Sequence, residues 1–410
     1  MGNTIKNTHP IVDEALKNFF NKAEKEDFSK VLKGDIGLTA DTIDVKSKEQ
    51  INFELSSGPQ VRQQLDLIIT FAESKYQTEK LIEFLIYLGQ LTITSGENQI
   101  AIEIHEKIIN LCEGKSGTAD IVANALLSIG EIYSRQAQWT LSISYLNKAA
   151  QIFQNENDIK GEIHCENIHG TIQGDQGNLE KAIEHFENAL VSLDGVKDSA
   201  LIGKIEINLG IINNMQSNYD EALSYLKRAL INFEKLRDLK RIAEIKQNLG
   251  MVYSKKKEYS KALSEFDDSI DASIRSNYLQ NLGIAYISKA NVQTRLKDFD
   301  LADAFCEKAM EIAYRINDKL SIAEVHKIKG IISRNRNRIE AAENSLLTSY
   351  RLNKELNNKL NLSETAFELG ILYKQKGEAD KANHYIIEAL EYFKKINSKA
   401  DINDLEKLLK

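Results

Sequence analysis

The chain has 410 residues, with 53 basic against 60 acidic side chains and a formal net charge of −7, a balance that argues against nucleic acid as a partner. Two prolines, Pro10 and Pro59, leave everything beyond residue 59 without an obligate helix breaker. No apolar run reaches the roughly 18 residues that span a bilayer, and three scattered cysteines (Cys112, Cys165, Cys306) suit a reducing cytosol better than a disulfide framework.

In chain order, Met1-Gly2 invites a myristoylation reading that Lys6 defeats, and no secretory leader is read there. Residues 11–33 set Ile11, Ala15, Phe19, Ala23 and Val31 among charges, which predicts one amphipathic helix closed by Gly34, packed on the body or held as a detachable arm. Within 34–59, Thr42–Val45 and Ile51–Leu55 alternate with period two, a short hairpin or an extended linker. Residues 1–60 are therefore taken as an amphipathic helix plus linker, and 61–81 as a lead-in helix. From 82 to 402 the pattern is a repeat, with units near 82–122, 123–162, 163–202, 203–242, 243–282, 283–322, 323–362 and 363–402. Residues 403–410, including Leu405, Leu408 and Leu409, are expected to cap the last unit.

The repeat is carried by small residues forty apart: Gly130, Gly170, Gly210, Gly250, Ala290, Gly330 and Gly370. Small residues recur twelve and nineteen positions after each, as in Ala262 and Ser269, while large ones such as Tyr259 and Phe266 stand nine and sixteen after. Helix pairs approach to 8–10 Å only where crossing points carry small side chains. The anchor and the residue twelve on are expected to provide that approach, the residue nine on to open the second helix, and the residue sixteen on to fill the space between units. Gln280–Tyr286 mimics Gln247–Tyr253 in the wrong register, and Phe299, Ala302 and Ala309 assign the anchor to Ala290 rather than Gly283. Gly89 and Ala101 begin a looser eighth unit.

This pattern, as in Leu249-Gly250, Tyr253, Tyr259, Ala262, Phe266 and Ser269, resembles the tetratricopeptide repeat family over residues 82 to about 402. The forty-residue period and the missing closing proline are similar to the long-helix variants of kinesin light chains, cell-polarity adaptors and bacterial Rap-type regulators. The resemblance implies an all-α, right-handed α-solenoid of about eight stacked antiparallel helix pairs, with an N-terminal helical extension, a C-terminal capping helix and a concave wall of first helices. By spacing, offsets −6, −2, +1 and +5 from each anchor form one helical stripe, apart from a buried stripe at −1, 0 and +3. The candidate peptide-binding residues on that stripe are Lys204, Asn208, Ile211, Met215, Glu244, Asn248, Met251, Lys255, Asn291 and Arg295. In the family such asparagines hydrogen-bond an extended peptide backbone, and Asn208 and Asn248 share one offset.

The expected function is a non-catalytic, cytoplasmic scaffold or adaptor holding an extended peptide or a partner helix. The alternative is a ligand- or signal-peptide-responsive regulator of the Rap-like type, and a nucleic-acid-associated factor ranks below both. No Walker loop, nucleophile elbow, dinucleotide fingerprint or zincin helix is present in the sequence, so no catalytic residue or cofactor is assigned. His164, Cys165 and His169 form the one metal-like cluster, read as core residues rather than ligands. Arg334, Arg336 and Arg338 read as solvated turn charge. No three successive units supply the clamp that binds chaperone C-terminal tails; membrane is excluded as a partner, and self-association stays open.

Overall fold

The computed structural model describes residues 8–33, 59–193 and 198–409; the alternating segments at 42–45 and 51–55 lie outside them. Among the described residues the fold is an all-α solenoid of twenty helices, and the chain divides into two compact units, Met1–His169 and Gly170–Lys410.

The first unit begins with α1 (Pro10–Phe19) and α2 (Lys22–Leu32), where one helix was expected. Phe20 is extended (φ −112°), and Asn21 opens α2 with a capping box in which its side chain accepts from the Glu24 N–H while Glu24 accepts from the Asn21 N–H. The Asn-x-x-Glu pattern starts a new helix there, whatever the apolar spacing continues. Then come α3 (Pro59–Lys75) and α4 (Thr78–Thr94), so the lead-in helix stops short of residue 81. These four helices close around Phe19, Phe20, Phe28, Phe71, Tyr76 and Phe84, with the Tyr76 hydroxyl donating to the Phe19 carbonyl at 2.5 Å. The unit continues through α5 (Asn98–Cys112), α6 (Ala119–Arg135), α7 (Trp139–Glu156) and part of α8 (Ile159–Asp175).

The second unit stacks α9 (Leu179–Ser192), α10 (Ser199–Met215), α11 (Tyr219–Leu236), α12 (Leu239–Lys255), α13 (Tyr259–Arg275), α14 (Leu279–Arg295), α15 (Phe299–Arg315), α16 (Lys319–Asn335), α17 (Ile339–Glu355), α18 (Lys359–Lys376), α19 (Ala379–Lys395) and α20 (Lys399–Leu409). The residue nine after each anchor is the first of its second helix, from Trp139 to Ala379. Both turns of a unit contain a left-handed residue: Ser217 (φ 67°), Lys257 (φ 63°) and Asn337 (φ 58°) in the first, Asn277 (φ 51°), Asn317 (φ 53°) and Asn357 (φ 52°) in the second. Beside it the chain reverses through a Schellman bond, such as Glu258 N–H to the Tyr253 carbonyl at 2.9 Å, which satisfies the helix-end carbonyls.

The anchors work as expected, but the residue sixteen on does not lie between units. A Cβ placed on Gly210, Gly250 or Gly330 would stand 2.6, 2.4 or 2.6 Å from Leu226, Phe266 or Leu346 of the same pair. The space between units is filled from twenty-three positions after the anchor, where Phe153 lies on Gly161 and Phe233 on Gly203 of the next first helix. At Ser273 and Asn353 that position is polar and the seam changes character: Asn281 donates to Ser269 and Ser273 at 2.9 and 2.8 Å, and Ser349, whose hydroxyl accepts from Asn353 at 3.3 Å, pairs with Thr365 at 3.2 Å. Ion pairs join the edges of successive units, with Lys256 2.6 Å from Asp220, Arg336 2.6 Å from Asp303 and Lys376 2.6 Å from Glu343. Arg336, and Arg334 through Glu368, are committed to partners rather than left as solvated turn charge. Exposed pairs add little stability each, but their forty-residue spacing favours one stacking register.

Two stability predictions follow from this packing. Gly250→Ala should lower the urea midpoint by the equivalent of roughly 1–3 kcal/mol, because overpacking against Phe266 outweighs the gain in helix propensity. Gly283→Ala, where Ile312 stands at an ordinary 3.4 Å, should match or exceed the parent; equal midpoints for the two variants would refute the anchor assignment. In the first unit His105 is buried with neither ring nitrogen hydrogen-bonded among the described residues, and burial lowers its pKa from 6.5 to about 4. Below pH 6.5 the unfolded chain takes up a proton that the folded one refuses, so stability is lost as pH falls from 6.5 to about 4. The full loss is roughly 3 kcal/mol, and thermal melts of His105→Leu across that range should show a flatter pH dependence than the parent.

Candidate functional site

In the second unit the first helices α10, α12, α14, α16 and α18 touch one another in succession, while no second helix makes a comparable contact with the next second helix among the described residues. A stack that is tighter on one side curves toward it, so the first helices line the inner wall. Polar side chains stitch this wall across the helix boundaries. Gln247 of α12 donates to the Ser288 hydroxyl of α14 at 2.5 Å, and Asn291 of α14 donates to Glu324 of α16 at 3.4 Å. From α16, Lys327 lies 2.8 Å from Glu324 and 2.5 Å from Glu364 of α18, and Arg334 lies 2.7 Å from Glu368.

Lys327 is 4% exposed, and burial opposes its charge, yet Glu324 and Glu364 hold its pKa above the usual lysine range. Burial likewise opposes ionisation of Glu364, but the positive charges of Lys327, Lys255 and Arg295 bring it down to about 2. The Glu364 side chain keeps 34% of its surface exposed. Lys255 and Arg295 come from α12 and α14, so positive charge from first helices of earlier repeats reaches Glu364 of α18.

All ten sequence-predicted residues are at least partly exposed, and none is core. Met251 is 37% exposed and its sulfur accepts from the Ser288 hydroxyl at 3.6 Å. Glu244 is already engaged, 2.6 Å from Arg241 and accepting from the Tyr278 hydroxyl at 2.9 Å. Asn208, Lys204, Ile211 and Met215 are half-buried on α10. Asn248, Lys255 and Arg295 make no hydrogen bond or close ion pair with any described residue. The stripe is less regular than its spacing suggested: at offset −2, Ile168 is 8%, Ser288 5% and Ile328 0% exposed, because this position borders the next helix. Sequence reasoning passed over Gln247 and Lys327 as groove-side groups. Gln247 is 5% exposed and its Oε1 has no partner among the described residues. A lysine or glutamine three before an anchor is the signal that would have found them.

Of the metal-like cluster, Cys165 is buried and its thiol is pushed up to about 12, by burial first and then by Glu166 and Glu162. His169 is half-buried rather than core. Among the described residues no helix is long and apolar enough to cross a membrane.

Lys327→Met should destabilise the second unit by about 3–5 kcal/mol, since it strands two carboxylates in the wall. The double variant Lys327→Met/Glu364→Gln should recover part of that loss; urea unfolding of the three proteins checks it, and a neutral single variant would show the cluster to be idle.

One tetratricopeptide repeat family model matches residues 121–194, 163–235 and 201–275, and a second matches 284–315. A curated relative, the transcriptional activator NprA of Geobacillus stearothermophilus, is 27% identical over 126 residues, which span 31% of this chain and 31% of the relative. Among solved structures the chain is similar to a Rap protein complexed with competence and sporulation factor, with a TM-score of 0.57 and 14% identity over 80% of this chain and 96% of that one. It is also similar to the apo quorum sensor NprR from B. thuringiensis (TM-score 0.57, 16% identity, 81% and 93% covered). NprR in complex with its cognate peptide NprX gives a TM-score of 0.51 at 15% identity, with 68% and 84% covered.

Proposed function

From a chain built of tetratricopeptide repeats, we infer a non-catalytic interaction scaffold whose inner wall in the second unit holds an extended peptide or a partner helix. The observation that carries this reading is the uncommitted amide of Asn248, half-exposed at the same offset as Asn208 on the neighbouring first helix. One amide offers a donor and an acceptor in the spacing of a peptide unit, and the forty-residue period sets a second asparagine at the matching place on the adjacent helix. The non-catalytic part rests on chemistry: Glu244, Glu324, Glu364 and Glu368 are spent in ion pairs, which leaves them poorly disposed to carry protons. A cytoplasmic setting agrees with Cys112, Cys165 and Cys306, all unpaired and buried.

A second reading, a peptide-responsive regulator, is favoured by the breadth of the likeness to Rap and NprR structures, two of which are complexes with a competence and sporulation factor or a cognate peptide. The helices α1–α3 preceding the repeats would then be the responding region.

Affinity capture from the native host, with protein and low-mass peptide fractions both read by mass spectrometry, tests the groove. Asn208→Ala/Asn248→Ala should lose a partner held by the parent by roughly tenfold or more, the worth of two to three hydrogen bonds. Unchanged recovery would remove the central groove as the site. A partner found in the peptide fraction favours the regulator, and one found among intact proteins favours the adaptor.

A further inference from the structure

In a solenoid each repeat touches its neighbours and no others. The second unit departs from this rule. Gly177, in the turn between α8 and α9, lies against Ile396, which ends α19: a Cβ on Gly177 would stand 3.0 Å from the Ile396 Cγ2 and 3.7 Å from the Lys395 Cε. The two residues belong to the third and the eighth repeats, with four repeats between them in sequence.

Burial at equivalent positions marks the contact as specific. The residue seven after each anchor is a left-handed turn residue; Ala137, Lys257, Lys297, Asn337 and Gly377 are exposed and Ser217 is half-buried, but Gly177 is buried. Twenty-six after the anchor, Leu236 and Leu356 are 48% and 37% exposed, whereas Ile396 is 3% exposed. Beside the contact is a cleft of about 280 Å³ lined by Glu180, Ile183, Gln216, Asn218, Asn397 and Lys399, drawn from both ends of the stack. The Tyr392 phenol, one turn before Ile396, is raised to about 12 by burial and by the negative charges of Glu364 and Asp175, so the end of α8 and the wall of α18 both lie close to α19.

We propose that Gly177 and Ile396 form a latch that closes the third repeat on the eighth and holds the second unit at one superhelical pitch. The contact is small and long-range in sequence, so it yields before any interface between adjacent repeats. While it is shut, the inner wall is a closed ring that a ligand enters along its axis; open, the ring admits one from the side. Whatever occupies the wall and the latch bias each other by the same factor. That consequence rests on the groove reading above; the latch itself does not.

The turn itself supplies the decisive variant. Asparagine is tolerated in this same turn at Asn337 (φ 58°), so Gly177→Asn keeps the backbone (φ +79°) while driving a side chain into Ile396. Gly377→Asn, with nothing within 4 Å of its Cβ, is the matched control. Spin labels at E184C and N403C, both exposed, report the distance between α9 and α20 by pulsed electron resonance in the unliganded protein. One narrow distance is expected in the parent and in Gly377→Asn, and a longer, broader distribution in Gly177→Asn. Ile396→Ser, which removes the other side of the contact, should reproduce it, with far-UV circular dichroism unchanged. The proposal is overturned if Gly177→Asn and Ile396→Ser overlay the parent, or if the parent is already as broad as they are. Neither result touches the capture experiment, so failure of the latch and failure of the groove are read separately.

Discussion

The structure depends on one contact used repeatedly: a large side chain lying on a bare Cα. Leu226 on Gly210, Phe266 on Gly250, Leu346 on Gly330 and Ile386 on Gly370 let the two helices of a pair approach until ridge meets groove. Glycine in a helix interior costs about 1 kcal/mol relative to alanine, so its recurrence at six of seven anchors is a cost that only close packing offsets. The seventh anchor, Ala290, is fully buried opposite the thiol-bearing Cys306, a smaller partner that leaves room for one methyl.

Stacking the pairs raises a second requirement, since each pair leaves an apolar face that only the next pair covers. Phe153 and Phe233 meet it with an aromatic ring set on a glycine of the following helix. Around Asn281 and around Ser349 and Thr365 the seam is hydrogen-bonded instead, with every donor in place. Such a seam holds its geometry strictly, because a slipped register leaves buried polar groups unpaired. The inner wall follows the same logic: Lys327 between Glu324 and Glu364 is stable only as a set.

Function attaches to what the wall leaves over. Most of its charges are consumed in cross-helix pairs, whereas among the described residues Lys204, Asn248, Lys255 and Arg295 are at least partly exposed and make no hydrogen bond or close ion pair. A groove with fixed walls and a few free hydrogen-bonding groups is preorganised for a chain that brings its own backbone donors and acceptors. If the two ends of the stack are also latched, the pitch of the wall becomes a property that a ligand and a distant contact share.

The repeat, its helix pairs and the anchor register were legible in the amino-acid sequence, because a forty-residue period in residue size has a single helical explanation and Ala290 could be preferred over Gly283 by its neighbours alone. The spacing of i to i+3 and i+4 defined a stripe of groove candidates on one face, and burial of Ile168, Ser288 and Ile328 interrupts that stripe at offset −2. What the sequence left open was which neighbour each face meets. The break at Phe20 and Asn21 turned on a capping box hidden in an apolar pattern, and the ring that fills the seam proved to lie twenty-three rather than sixteen residues after the anchor. The pairing of Lys327 with Glu364 and of Gly177 with Ile396 belongs to tertiary structure alone. Periodicity describes each helix relative to itself, whereas these contacts depend on the angle each repeat adds to the last, a small rotation that accumulates over the stack and is written at no single position.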